Sequence, residues 1–173
     1  ALDGRADMVP ARAPFERVAR AKTAEAARAL ERRIDEAAAA YDAVVVDTPP
    51  VASNQAVAVV TTVDRVAAVR PATPPGRDAL ARLHGRVADV GGSVDATVAV
   101  TRTGTTTTDA GEPTDGTVDA SIGATDSSIA AAPTTATATD AYTGGVVDAY
   151  EALFDTALDL EFDRSGVFDR LTR

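Results

Sequence analysis

The sequence predicts an α/β fold in which a mostly parallel sheet is flanked by helices. Short runs rich in Val and Ala occur at 44–46, 65–70 and 96–101, and each run ends at a charged residue or a proline. Segments with apolar residues at three- or four-residue spacing separate these runs, which is typical of amphipathic helices. Strands that alternate with helices favour a parallel sheet with right-handed crossovers.

The first predicted helix spans residues 14 to 40. Pro14 suits a first helical turn, and a break is expected near residues 22 to 23. Apolar residues recur at helical spacing, namely Ala27, Leu30, Ile34, Ala38 and Tyr41. The charged residues between them are interpreted as an ordinary solvated face.

Residues 41 to 50 read Tyr-Asp-Ala-Val-Val-Val-Asp-Thr-Pro-Pro. Val44 to Val46 favour a strand buried on both faces, and the two prolines end it. Asp47 is therefore expected at the carboxyl edge of the sheet, where open α/β sheets bind ligands. Two interpretations stay open. Asp47 either caps the next turn, or it orders a metal-bound water beside a nucleotide phosphate.

The remaining elements are predicted from turn signals and apolar spacing. In order they are a short helix after Ser53, a strand at 65–70, a helix at 77–90, a strand at 96–101, a strand at 117–122 and a helix at 143–160. Ser53 is a capping residue type, and Gly91 is placed to end the helix at 77–90. Residues 103–116 have the composition of a flexible loop, and the structure of 127–140 is left open.

The last helix and the tail after it carry apolar residues on one side. The helix has a stripe that is expected to pack on the sheet, formed by Val146, Tyr150, Leu153, Phe154, Ala157 and Leu158. In the tail, 161–173, Val167, Phe168 and Leu171 can share a face beside two arginines. Both a short lipid-surface helix and a frayed end remain open for this tail.

Several of these segments together resemble a known family. Tyr41-Asp42, the Val run and Asp47-Thr48-Pro49-Pro50 resemble the Walker B segment of the MinD/ParA partitioning ATPases, which are SIMIBI-class P-loop proteins. Other segments resemble, in the family's order, its neighbouring strands and helices, namely 7–11, 23–40, 64–74, 95–102 and 119–126. The resemblance covers nearly the whole chain and implies a partial P-loop NTPase-like, Rossmannoid domain.

The resemblance also implies a ligand and a mechanism. In the intact domain ATP and Mg²⁺ are expected at the carboxyl edge of the sheet, with Asp47 holding a water of the magnesium shell. Thr101, Arg102 and Gly123 match the nucleotide-contacting positions, although Thr101 stands where the family has asparagine. As ordinary strand-end and turn residues they have an equally good structural explanation. A homodimer through the nucleotide face and a regulatory partner protein are the implied partners.

The phosphate-binding loop of that family is missing from the sequence. No Gly-x-x-x-x-Gly-Lys-Ser/Thr string occurs, and the only lysine is Lys22. Since a phosphate cradle needs bare glycine amides and a lysine, the chain alone is expected to be inactive. Residues 1–173 are interpreted as one partial ATPase domain, the C-terminal part of a longer switch protein. The alternative is a non-catalytic scaffold or dimerisation module, and the upstream coding sequence would distinguish the two.

Composition limits the other classes of function. The net charge is −9, and arginine replaces lysine almost completely, which favours a halophilic archaeon or simply a high-GC genome. The absence of cysteine excludes disulfides and thiolate metal sites, and a lone His84 excludes a histidine zinc cluster. Acidic charge disfavours direct nucleic-acid binding. Without a secretory signal or a run of about 20 apolar residues, the prediction is a cytoplasmic protein.

Overall fold

The computed structural model describes residues 7–9, 22–49, 53–101, 118–124 and 141–158. Its elements are α1 (Ala24–Ala38), α2 (Asn54–Thr62), β1 (Ala67–Pro71), α3 (Pro74–Asp89), β2 (Ala96–Val100), β3 (Ala120–Ile122) and α4 (Ala141–Phe154). The chain divides into two compact units, Ala1–Thr62 and Val63–Arg173. The predicted loop at 103–116, the stretch 127–140 and the tail at 161–173 lie outside the described residues.

The first unit contains the helices α1 and α2, which pack on each other. The predicted break near residue 23 is confirmed, because Thr23 is the N-cap of α1 and its Oγ1 accepts the Ala26 N–H at 3.1 Å. Ser53 caps α2 in the same way, with its Oγ accepting the Ala56 N–H at 3.2 Å. The buried residues of the pair are Ala27, Ile34, Ala56, Ala58, Val59 and Val60. Residues 14 to 21 of the predicted helix lie outside the described part.

The predicted strand at 44–46 is wrong. Residues 43–49 belong to no helix or strand, Val45 is 56% exposed, and Asp47 is also exposed. β-Branched residues favour strands only where a neighbouring strand pairs their backbone and both faces are covered. Among the described residues the sheet consists of β1, β2 and β3, and none of these strands pairs with residues 44–46.

The second unit confirms the predicted fold class. Its strands are all parallel, in the order β1-β2-β3, with Ala67 opposite Ala96 and Val98 opposite Ala120. Helix α3 connects β1 to β2 and packs on β1, while α4 packs on β3. The central strand β2 is buried from Ala96 to Ala99, as expected for a parallel strand covered on both faces.

Helix α3 begins and ends close to its predicted bounds. Leu80 and Val87 form its buried side, and His84 lies on the exposed side. Gly91 adopts φ +82°, a left-handed conformation that glycine tolerates best, and the Gly92 N–H donates to the Val87 carbonyl at 2.9 Å. The predicted glycine stop is therefore confirmed.

Helix α4 buries a different side from the predicted stripe. Thr143, Gly145 and Val147 are buried, whereas Tyr150 is 43% exposed and stacks on Phe154 with ring centroids 6.0 Å apart. A Cβ on Gly145 would lie 2.5 Å from the Ser121 carbonyl oxygen, so the bare backbone permits the close approach to β3. The apolar spacing predicted that large side chains would be buried, but small residues of α4 make its closest contact with β3.

Two aspartates pair with backbone amides at the amino end of the sheet. Asp95 precedes β2, and its Oδ2 accepts the Val66 N–H at 2.8 Å. Asp119 precedes β3, and its Oδ2 accepts the Thr97 N–H at 2.7 Å. Each carboxylate thereby adds a hydrogen bond to the neighbouring chain segment just before its own strand begins.

None of the described helices has both the length and the apolar character required to cross a bilayer.

Candidate functional site

The candidate site lies where β2 and β3 end, at the carboxyl edge of the sheet. Thr101 directly follows β2, and Gly123 directly follows β3. The Thr101 N–H donates to the Ile122 carbonyl at 3.0 Å, so the pairing of the two strands continues to this edge. The structure thus brings two of the residues singled out from the sequence to adjacent strand ends.

Polar groups at this edge are available to a ligand. The Thr101 side chain is partly buried, and its hydroxyl has no hydrogen-bond partner among the described residues. Gly123 and Ala124 are exposed, and the described part of the chain offers no partner to their backbone groups. The described part of this edge therefore presents the Thr101 hydroxyl and a short run of main chain, with both donors and acceptors.

Gly123 is not required by the fold. A Cβ added there would meet no atom within 4 Å, and the left-handed glycine of the described residues is Gly91. Gly76 differs, because a Cβ on it would collide with the Pro71 carbonyl oxygen. Gly76 thus serves the packing of α3 on β1, whereas the bare backbone at Gly123 leaves open space beside Thr101.

The amino end of α3 is closed to phosphate, although it also lies at the carboxyl end of a strand. Pro74 and Pro75 have no N–H, and the Gly76 N–H is taken by Thr73 Oγ1 at 3.3 Å. The Arg77 N–H donates to the Thr73 carbonyl at 3.2 Å. An anion site at a helix N-terminus needs free amides, and this first turn has none. The Thr-Pro-Pro string at 73–75 is the sequence signal of this closed first turn.

The other residues singled out from the sequence lie in the first unit or outside the described residues. Asp47 is exposed in the irregular segment 43–49, and Arg102 lies outside the described residues. Lys22 is exposed before α1, where its carbonyl accepts the Asn54 Nδ2 at 3.0 Å. Within the described ranges no three His, Cys, Asp or Glu side chains are grouped to hold a metal. The described residues therefore form no metal-binding cluster of their own.

A shallow groove between α1 and α2 is a separate feature of the first unit. It is lined by Ala24, Ala27, Arg28, Glu31, Asn54, Val57 and Ala58. The lining has one acid and one arginine on a solvated helix face, and no arrangement of catalytic or metal-binding groups. The carboxyl edge of β2 and β3 therefore remains the better candidate.

Comparison with known proteins does not identify a family for this chain. None of the family models, curated proteins or solved structures compared with this chain matches it. The sequence motifs and the geometry of the strand ends are therefore the basis for a function.

Proposed function

We propose that this chain is the C-terminal, base-binding part of a MinD/ParA-like ATP-dependent positioning switch. The base of the nucleotide lies at the carboxyl edge formed by Thr101, Gly123 and Ala124. The observation that supports this proposal most is at the ends of two paired parallel strands. There the Thr101 hydroxyl, which has no partner among the described residues, is juxtaposed with the open backbone of Gly123. Ligands of open α/β sheets bind outside these carboxyl ends.

The proposal assigns the phosphates to another part of the intact protein. The 173 residues contain no glycine-rich loop with a lysine, and the first turn of α3 has no free amide. The chain alone is therefore expected to hold only the base end of ATP and to release no phosphate from it. In the intact switch, a phosphate-binding loop and Mg²⁺ complete the site, and two subunits meet across the nucleotide face.

Asp47 has no part in this proposal. Its expected role depended on a strand that would hold the carboxylate at the sheet edge, and residues 43–49 form none.

The runner-up is a non-catalytic scaffold, and one observation favours it. The described residues that directly follow the three strands carry no charged side chain; they are Ala72, Thr73, Thr101, Gly123 and Ala124. Among the described residues, those that follow the strands therefore offer no ionisable side chain for proton transfer. A scaffold keeps the sheet and binds no nucleotide, which separates the two functions experimentally.

The test is a titration of the isotope-labelled chain with AMP, followed by amide chemical shifts. Since only the base end is held, a dissociation constant on the order of millimolar is expected. The amides of Thr101, Gly123 and Ala124 should shift most. Gly123→Ala should abolish these shifts without unfolding the chain, because its Cβ enters space that the fold leaves empty.

Gly85→Ala is the matched control for this experiment. Gly85 lies on the exposed face of α3, and a Cβ there also meets nothing within 4 Å. This variant should bind AMP like the unaltered chain. Absence of any AMP-dependent shift, or shifts that Gly123→Ala leaves intact, would favour the scaffold.

A further inference from the structure

We infer that the edge formed by Thr101, Gly123 and Ala124 accepts adenine and guanine nucleotides with little discrimination between them. This inference rests on the proposed function and names its ligand class as purine nucleotides in general. It follows from the kind of polar group available at the edge, because selectivity between the two bases requires groups of fixed hydrogen-bonding character.

The two purines present opposite groups at their six-position. Adenine carries an amino donor there and guanine a carbonyl acceptor. A protein group that can only donate or only accept a hydrogen bond therefore pairs with one of the two bases and not with the other. A site that contains such a group binds the wrong base much more weakly, because the protein's polar group is then left buried and unpaired. A group that can change polarity carries no such penalty.

The Thr101 hydroxyl is a group of that second kind. It rotates, donates one hydrogen bond and accepts others, so it can face either purine edge. The Thr101 N–H is already used by the Ile122 carbonyl at 3.0 Å, which leaves the hydroxyl as the donor of this residue. No asparagine or glutamine amide follows a strand within the described part of this edge.

The neighbouring main chain is equally permissive. Gly123 and Ala124 each offer one N–H and one C=O, and these groups have no partners among the described residues. Because both residues are exposed, a planar base can reach their N–H donors as well as their C=O acceptors. A Cβ at Gly123 would meet no atom within 4 Å, so the backbone there is open to a base of either kind.

The test compares AMP and GMP as probes, using amide shifts of the unaltered chain. The two dissociation constants should agree within about fivefold. Thr101→Asn introduces an amide that can pair with adenine at two points, and should favour AMP over GMP by on the order of tenfold. Thr101→Val keeps the shape, removes the hydroxyl and should weaken both nucleotides alike, whereas the exposed Thr156→Val should change neither.

The outcomes separate this inference from the function on which it rests. AMP binding at the edge with GMP weaker by more than fivefold overturns the inference and leaves the proposed function standing. Failure of both nucleotides overturns the two together. Comparable binding whose ratio Thr101→Asn does not change shows that Thr101 does not contact the base, and also overturns the inference.

Discussion

Asp119 and Thr97 exchange two hydrogen bonds across the amino end of the sheet. Asp119 Oδ2 accepts the Thr97 N–H at 2.7 Å, and the Asp119 N–H donates to the Thr97 carbonyl at 2.9 Å. Thr97 is only 5% exposed, so its amide has little access to water. Because β3 begins one residue later, the carboxylate pairs a buried amide that β3 itself does not reach, and it helps to fix the register of the two strands.

Removal of this carboxylate should destabilise the second unit. Asp119→Ala leaves the Thr97 N–H buried and unpaired, and a loss of about 1–3 kcal/mol in the free energy of unfolding is expected. Asp119→Asn keeps an acceptor and should lose less. Urea denaturation measures both effects. The exposed Asp89→Ala is the control, expected within about 0.5 kcal/mol of the unaltered chain, and equal effects at positions 89 and 119 would argue against the register role.

The paired glycines of α4 should respond oppositely to alanine. Gly145→Ala places a Cβ 2.5 Å from the Ser121 carbonyl oxygen, and should cost about 1–3 kcal/mol in the free energy of unfolding through overpacking. Gly144→Ala meets nothing within 4 Å and should stabilise the helix by about 0.5–1 kcal/mol. Thermal unfolding of the two variants decides the matter. If Gly145→Ala is as stable as Gly144→Ala, α4 does not approach β3 as described.

A pH effect is expected from Tyr41 and Asp7. The Tyr41 hydroxyl donates to the Asp7 carboxylate, and this hydrogen bond, with the neighbouring negative charge, raises the pKa of Tyr41 above 10.0. Because the folded-state pKa is the higher one, the stabilising contribution is fully present below pH 10.0 and is lost as the pH rises through the raised value. Ultraviolet titration of the phenolates should show an ionisation that moves to lower pH in Asp7→Ala.

Two further variants complete the tyrosine experiment. Tyr41→Phe assigns the shifted ionisation by removing it from the titration curve. Asp7→Asn keeps an acceptor without the charge, and should lower the pKa by less than Asp7→Ala does. Superimposable curves for the unaltered chain and Asp7→Ala would show that the two side chains do not interact in solution.

The acidic charge predicts a salt dependence. With a net charge of −9, raising KCl from about 0.1 M to about 2 M should increase the free energy of unfolding, because salt screens the repulsion between carboxylates. Neutralising the exposed Asp42, Asp64 and Asp89 with asparagine should reduce this dependence. A stability that does not change with KCl, or a dependence that the triple variant keeps in full, would contradict the halophilic interpretation.

The sequence was sufficient for the elements whose signals are local. Thr23, Ser53 and Gly91 stand at helix boundaries where capping chemistry predicts them, and the alternation after residue 53 was enough to predict a parallel sheet. The predicted strand at 44–46 was wrong because a run of valines indicates only a tendency to form a strand. Whether a neighbouring strand exists is a property of the whole fold, which local composition does not contain.

The candidate site was predictable only in part. Thr101 and Gly123 were singled out because they match nucleotide-contacting positions of the family that the sequence resembles. The structure places both directly after neighbouring parallel strands, at one edge of the sheet. Sequence could not show that the Thr101 hydroxyl has no partner among the described residues, or that space is open at Gly123, since both depend on tertiary packing. The buried side of α4 was missed for the same reason, because Gly145 contributes through the absence of a side chain.

The most direct test of the central claim is a search for nuclear Overhauser effects between AMP and the labelled chain. The claim is that the base lies against the ends of β2 and β3. Contacts are expected from the purine protons to the Thr101 methyl group and to the Gly123 α-protons. Purine contacts confined to other residues, or no contacts when AMP is present in large excess over the chain, would contradict it.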